Sequence, residues 1–192
     1  CWNSINTGMD RKRLQLADQL MIERYGMWAT HMLTLTFAAE KRGGYVIRDG
    51  WAKGAVNGYE YELTENAAVD TVRYFVKALN GKCYGRNSKK QRTKNYSQIL
   101  AIPVLEGLKG NKRTHTHILL GNIPMHIQPV LAETVQEVWG KTSWGMQRMQ
   151  LDELHDVDGA AHYLTKEVGY INDGAVWWEH ASIPGRLFGK WS

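Results

Sequence analysis

Two stretches of the chain, Ile99 to Glu106 and Thr114 to Leu120, are apolar and β-branched and are separated by Gly107-Leu108-Lys109-Gly110-Asn111-Lys112. A turn-rich connector between two such runs predicts an antiparallel hairpin. This pairing constrains the fold more than any other feature, because a slip of one residue would exchange the two faces of each strand. His115 and His117 stand two apart in Thr114-His115-Thr116-His117-Ile118-Leu119-Leu120 and so share a face, while Thr116, Ile118 and Leu120 point the other way, toward a core. A connector symmetric about Gly110-Asn111 sets Glu106 directly opposite His115, with His117 its diagonal neighbour. Opposed Cβ atoms lie about 5 Å apart and diagonal ones about 7–8 Å, so one carboxylate and two imidazoles can converge on a cation. A register slipped by two keeps the trio together, whereas a slip of one sends Glu106 to the other face. Two nitrogens and a carboxylate suit zinc, manganese or another divalent metal with positions open to water or a phosphate oxygen. His31, His126, His155, His162 and His180 read as surface or core histidines.

The remaining elements follow from periodicity. Asp10 to Tyr25 reads as a helix, with Asp10 as a cap and Leu14, Ala17, Leu20 and Met21 spaced for one apolar face. His31 to Phe37 is a strand, and the Gly- and Tyr-rich stretch to Tyr61 suits a hairpin. Thr64 opens a second helix that carries Val69, Val72, Phe75, Val76 and Leu79 and stops at Asn80-Gly81. His126 to Trp139 is a third helix, with Pro129 in its first turn and Ile127, Val130, Leu131, Val135, Val138 and Trp139 on one face. A strand from Gly145 to Leu154 precedes a last helix, Asp158 to Tyr170, capped by Asp158 and ended by Asn172-Asp173-Gly174. This order predicts an α+β sandwich of ferredoxin-like or RRM-like kind, a central antiparallel sheet with its helices on one face.

At 192 residues the chain has the size of one domain, with a core over 31–170, an N-terminal helix over 10–25 and a C-terminal tail over 171–192. An apolar share of 43% with 22% charged residues excludes disordered and low-complexity classes. Its two cysteines, Cys1 and Cys83, are too few for a disulfide framework or a multi-cysteine zinc site and point to a reducing intracellular compartment. Its longest apolar run, Ile99 to Leu105, contains a proline and is far below the ~20 residues that span a bilayer, so no membrane is expected. The chain starts at Cys1 rather than methionine and carries no secretory signal, which reads as a processed or excised product. Twenty-four Lys and Arg against 19 Asp and Glu leave a net charge of +5, which favours a polyanionic partner. Arg86, Lys89, Lys90, Arg92 and Lys94 cluster between Tyr84 and Gln98, where no acidic residue occurs. Such a stripe suits phosphate contacts with base stacking on Tyr84 and Tyr96, and also suits a solvated loop.

On the last helix Tyr163 and Lys166 are three residues apart and share a face. A phenol that attacks phosphorus needs its pKa of ~10 lowered or its charge neutralised, and an adjacent ammonium does both. Tyr163-x-x-Lys166 alone also reads as an amphipathic helix with a snorkelling lysine.

Met32-Leu33-Thr34-Leu35-Thr36, then Thr114-His115-Thr116-His117-Ile118, then Tyr163-Leu164-Thr165-Lys166-Glu167 resemble, in order, the three motifs of the HUH endonucleases, specifically the single-tyrosine rolling-circle replication initiators. The likeness spans roughly 31–170. Thr116 stands where that family's histidine motif is usually hydrophobic, and Tyr170 lies farther from Tyr163 than the second tyrosine of two-tyrosine initiators. The resemblance implies metal-dependent nicking and rejoining of single-stranded DNA, with Tyr163 as sole nucleophile and Lys166 beside it. It implies Mn2+ or Mg2+ held by Glu106, His115 and His117. The partners it implies are a replication origin with an associated hairpin and a helicase, fused or supplied by the host. The compartment would be the cytoplasm of a bacterial host or the nucleus of a eukaryotic one. An HUH transposase shares this chemistry, and a non-catalytic RRM-like module that stacks bases on its sheet is the reading from another class. The eight tryptophans suit such stacking only superficially, and Trp177-Trp178 reads equally as the packing of a tail.

Overall fold

The computed structural model describes residues 7–38, 40–42, 45–48, 51–55, 60–90, 96–107, 113–166, 168 and 175–185. Its centre is a four-stranded antiparallel sheet of β1 (Ala29–Phe37), β6 (Leu100–Glu106), β7 (His115–Gly121) and β8 (Gly145–Glu153) in the order β6-β7-β1-β8. Between β1 and the next helix, β2 (Glu40–Arg42) pairs with β5 (Glu60–Glu62) and β3 (Tyr45–Arg48) with β4 (Trp51–Ala55), nested as in one long hairpin. The mixed α+β architecture is the expected one.

Helices cover both faces of the sheet rather than one. α2 (Glu65–Tyr84) and α3 (Leu131–Gly140) pack on the face that bears Leu33, Leu35, Phe37, Ala101, Ile118 and Leu120. α1 (Thr7–Gly26) and α4 (Val157–Leu164) pack on the face that bears Leu100, Ile102, Val104 and Leu119. The sign of double coverage was the unbroken apolar run from Leu100 to Leu105 in β6, every residue of which is buried; a strand with one wet face alternates instead. The first core centres on Trp139, whose ring meets Phe37 and Phe75 edge-on with centroids 5.3 and 5.6 Å away. Cys83 is buried there as a free thiol, its pKa pushed up to about 11 by burial, and acts as a small apolar side chain.

Several boundaries differ from the periodic reading. α1 turns its expected apolar face outward: Leu14, Leu20 and Met21 are exposed, while Ile22, Tyr25 and Asp18 are buried. The buried face is polar at one end because Asp18 accepts a hydrogen bond of 2.7 Å from Trp178 Nε1, and Gln15 donates to the Thr165 carbonyl at 3.1 Å. Thr64 caps α2 as expected, accepting from Ala67 N, but the helix runs through Asn80-Gly81 to Gly85, whose φ of 56° is the left-handed stop. Asn80 is not a terminator because its side chain accepts from Ile99 N at the head of β6. Pro129 sits in a 3₁₀ turn, Gln128–Val130, so α3 starts only at Leu131 and Val130 is exposed. α4 is capped by Asp156, which accepts from Gly159 N, rather than by Asp158, and it ends at Leu164 rather than Tyr170. The C-terminal segment crosses the open edge of β6 with bridges Val104↔Val176 and Ala101↔Ser182, which occupies an otherwise unpaired strand edge. Trp177 enters the first core and Trp178 packs on the second, so this pair clamps the edge from both sides. Gly121 allows the β1 end to close, since a Cβ there would collide with the Trp28 carbonyl. Among the described residues no helix is long and apolar enough to cross a membrane.

Candidate metal centre and nucleophile

The β6–β7 register pairs Glu106 with His115 and Val104 with His117, the arrangement that a symmetric connector demands. Residues 108–112 of that connector lie outside the described residues. Glu106 and His117 are buried at 2% and 5% exposure, and the ligating atoms of Glu106, His115 and His117 all lie within 4.8 Å of one another. His115 Nε2 is 3.4 Å from Glu106 Oε2, and His117 Nε2 is 3.6 Å from Glu106 Oε1. The imidazoles meet edge-on with centroids 4.9 Å apart.

Both rings are held from behind. His115 Nδ1 donates to the Arg113 carbonyl at 2.9 Å, so in the neutral ring the Nε2 lone pair faces Glu106. His117 Nδ1 is hydrogen-bonded to Thr34 Oγ1 at 3.0 Å across the β1–β7 pairing Thr34↔His117. The buried Nε2 of His117 then has no hydrogen-bond partner. A buried polar atom left unpaired is costly, and a cation accepting its lone pair removes that cost. The donor set, with its orphaned nitrogen and its orienting bonds, fits a divalent metal; nothing in it selects among manganese, magnesium and zinc.

Burial alone would raise the Glu106 pKa, but the His115 and Lys166 hydrogen bonds and the neighbouring positive charges override it and hold the carboxyl at about 2. Burial dominates at His117 and pushes its pKa down to about 4, so the ring is neutral and ready to ligate at neutral pH. The hydrogen bond to Glu106 is the main influence on His115 and raises its pKa. A metal ion at Glu106 therefore competes with a proton on His115 more than on His117.

Tyr163 and Lys166 complete the cluster from the other side. α4 lies over β7, and the Tyr163 ring meets His117 at a centroid distance of 5.6 Å while staying 45% exposed. Lys166 lies in the turn after α4 rather than on a continuing helix, yet the turn keeps it beside Tyr163. Its Nζ sits 3.3 Å from the centroid of the Tyr163 ring and 3.0 Å from Glu106 Oε1. Burial lowers the Lys166 pKa, but Tyr163 and Glu106 outweigh it and the net shift is upward, so this side chain is a cation and not a base.

Thr116, between the histidines, is fully buried on the opposite face and donates to the Val104 carbonyl at 3.0 Å, which satisfies its hydroxyl inside a hydrophobic layer. Thr34 went unassigned within Met32-Leu33-Thr34-Leu35-Thr36; only the β1–β7 register reveals that it orients His117. Arg86, Lys89 and Lys90 are exposed after α2, and Lys89 shares a cleft with Asn80 and Gln98 near the head of β6, at the end opposite Glu106. The length of β6, about 20 Å at 3.3 Å per residue, separates the two ends. Arg92 and Lys94 lie outside the described residues.

No family model, curated protein or solved structure matches the chain.

Proposed function

We propose that this protein is a metal-dependent endonuclease that nicks and rejoins single-stranded DNA through a phosphotyrosine, in the manner of the HUH replication initiators it resembles, and that it starts rolling-circle replication of a plasmid, virus or related element. One observation carries this reading. A half-exposed tyrosine on α4, a lysine in the turn after it, and a carboxylate–imidazole trio from β6 and β7, of which Glu106 and His117 are buried, converge at one end of the sheet.

In this reading Tyr163 Oη attacks the scissile phosphorus, the P–O3′ bond breaks, and the 5′ phosphate stays on the tyrosine while the leaving oxygen takes up a proton as a 3′ hydroxyl. Exposure of Tyr163 lets its own proton leave to solvent. Lys166, held cationic, offsets negative charge at the phenolate and at the phosphoryl oxygens. Glu106, His115 and His117 would hold the metal, with Thr34 and the Arg113 carbonyl fixing the two rings. When bound, the metal supplies Lewis-acid polarisation of a non-bridging phosphate oxygen. Because the phosphotyrosine bond retains the energy of the broken ester, a 3′ hydroxyl can displace Tyr163 and reseal the strand without a nucleotide cofactor.

The test is a denaturing gel of the protein with manganese and labelled single-stranded hairpin DNAs, run beside Tyr163→Phe. A shifted band with the native protein and none with Tyr163→Phe, whose DNA affinity stays within about twofold, is expected, since only the nucleophilic oxygen is lost. Adducts that persist in Tyr163→Phe would refute the assignment. DNA binding with no adduct from either protein would favour a non-catalytic RRM-like module.

A further inference from the structure

α1 is turned the wrong way for a helix at a water boundary. Its inner face sets Gln15 and Asp18 beside Ile22 and Tyr25, with the Thr165 carbonyl and Trp178 Nε1 there to meet the polar pair. Its outer face carries Leu14, Leu16, Leu20 and Met21, and the turn that follows adds Met27 and Trp28. All six are exposed, and Leu16, Leu20, Met27 and Trp28 are each more than half so. Six of the eleven exposed large apolar side chains among the described residues thus lie on this helix and its last turn, which is the density of an interface rather than of a wetted surface. Met27 N still donates to the Glu23 carbonyl at 3.2 Å, so helical spacing carries through that turn. It sorts the six into two ridges, Leu16, Leu20 and Met27 on one side and Leu14, Met21 and Trp28 on the other, with the small Ala17 between them.

The two ends of this face differ in charge. Arg11, Lys12 and Arg13 are exposed at its start, beside Asp10. At its other end the turn from β8 into α4 packs against α1: Leu154 N donates to the Thr30 carbonyl at 2.9 Å, and a Cβ on Gly26 would lie 3.0 Å from Val157 Cγ1. That turn exposes Glu153, Asp156 and Asp158. Arg24, on the same face, holds its guanidinium 5.7 Å from the centre of the Tyr25 ring.

We propose that this face is an interface between two copies of the chain, packed with their α1 helices antiparallel about a two-fold axis that passes between Leu20 and Met21. Reversal of the helix sets Leu14 against Met27, and Arg13 against Trp28, of the second copy. It also lays the basic start of each helix on the acidic end of the other, the two contacts being about 22 Å apart at 1.5 Å per residue from Arg13 to Trp28. One chain carries both halves of every contact, so the same patch meeting itself covers the ridges and pairs the charges at once. An anionic membrane surface suits the basic start alone and is repelled by Glu153, Asp156 and Asp158. Neither DNA nor a metal takes part in this contact.

Light scattering after gel filtration, in EDTA and without DNA, tests the interface. At about 50 μM the native protein is expected at twice the mass of one chain. Leu16→Glu/Leu20→Glu changes two exposed positions, should keep the native circular dichroism spectrum, and is expected to raise the Kd at least about a hundredfold and elute as a single chain. Lys12→Glu/Arg13→Glu and Glu153→Lys/Asp158→Lys should each weaken self-association about tenfold, because like charges then meet at both ends, whereas an equimolar mixture of the two should pair as strongly as native protein. A native chain that stays single at this concentration, a dimer that survives Leu16→Glu/Leu20→Glu, or charge variants that fail to pair with each other would overturn the assignment.

Discussion

On the face covered by α2 and α3, β7 contributes Thr116, Ile118 and Leu120; on the face covered by α1 and α4 the same strand contributes His115, His117 and Leu119. The first set is sealed under Trp139, Phe75 and Phe37, and its one hydroxyl is consumed by a neighbouring carbonyl. The second set begins in the same way, with Leu119 beneath Ile22 and Ala161, and becomes polar toward the foot of β6. There Glu106 and His117 are as inaccessible as core residues, but their partners are cations and unpaired lone pairs instead of carbon. Burial thus does different work on the two sides. Next to apolar neighbours it stabilises the fold, and next to ionisable ones it sets protonation states for a ligand.

This contrast can be broken most severely at the packed face. Phe75→Ala should cost about 3–5 kcal/mol of stability through a cavity beside Trp139, and Phe75→Leu less. Urea unfolding measures the loss, and manganese titration of the folded protein should give an unchanged affinity. Weaker metal binding in folded Phe75→Leu would show that the two faces are coupled.

A pH series tests the other face. The folded-state pKa of His117, about 4, lies below its unfolded value, so the unfolded chain binds the extra proton and metal-free protein loses stability as pH falls from about 6.5 toward 4. His115 has the opposite sign: its raised pKa contributes stability that is complete below about 6.5 and is lost as pH rises through the folded value, so it does not offset the acid limb. Glu106, held at about 2, adds its own loss only below about 4.5. Between pH 6 and 4.5 the drop from His117 is on the order of 1–2 kcal/mol, read as a fall in Tm in EDTA, and His117→Gln should flatten it. The same slope in His117→Gln would remove His117 as its source.

Thr34→Val keeps the shape of the side chain and deletes the bond to His117 Nδ1. Manganese affinity should fall about tenfold with little change in stability, and calorimetric titration resolves the two. An unchanged affinity would mean that packing alone orients the ring. The smallest effect is expected at Lys166, whose Nζ lies 3.0 Å from Glu106 Oε1 and so would repel a cation held by that carboxylate. Lys166→Gln should tighten manganese binding about two- to fivefold through relief of like charge while it impairs adduct formation. Weaker metal binding in that variant would assign Lys166 a supporting role at the carboxylate instead of a competing one.

Much of the site was legible because it rests on local pairing. Strand alternation put His115 and His117 on one face, and the symmetry of a short connector placed Glu106 opposite. The helix spacing of Tyr163 and Lys166 pointed to a shared location, although α4 ends between them. Errors arose where a tertiary partner supplied what a local signal appeared to deny. Asn80 resembles a helix stop until Ile99 N claims its side chain, and α1 presents polar Gln15 and Asp18 inward because Thr165 and Trp178 are there to meet them. The basic cluster was legible as charge, but the place of Lys89 at the end of β6 opposite the candidate metal site depends on how α2 leads into β6.

By itself the amino-acid sequence determined the β6–β7 pair, the α+β class and the trio of Glu106, His115 and His117, since these follow from the period of a strand and the length of a turn, whereas the pairing of β1 with β7 and β8 was decided in three dimensions. The tertiary structure decided which helices cover which face, that Thr34 stands behind His117, that Lys166 lies between Tyr163 and Glu106, and that Lys89 lies at the far end of β6 from Glu106. These relations join residues tens of positions apart, and only the packing of whole elements sets the distances between them.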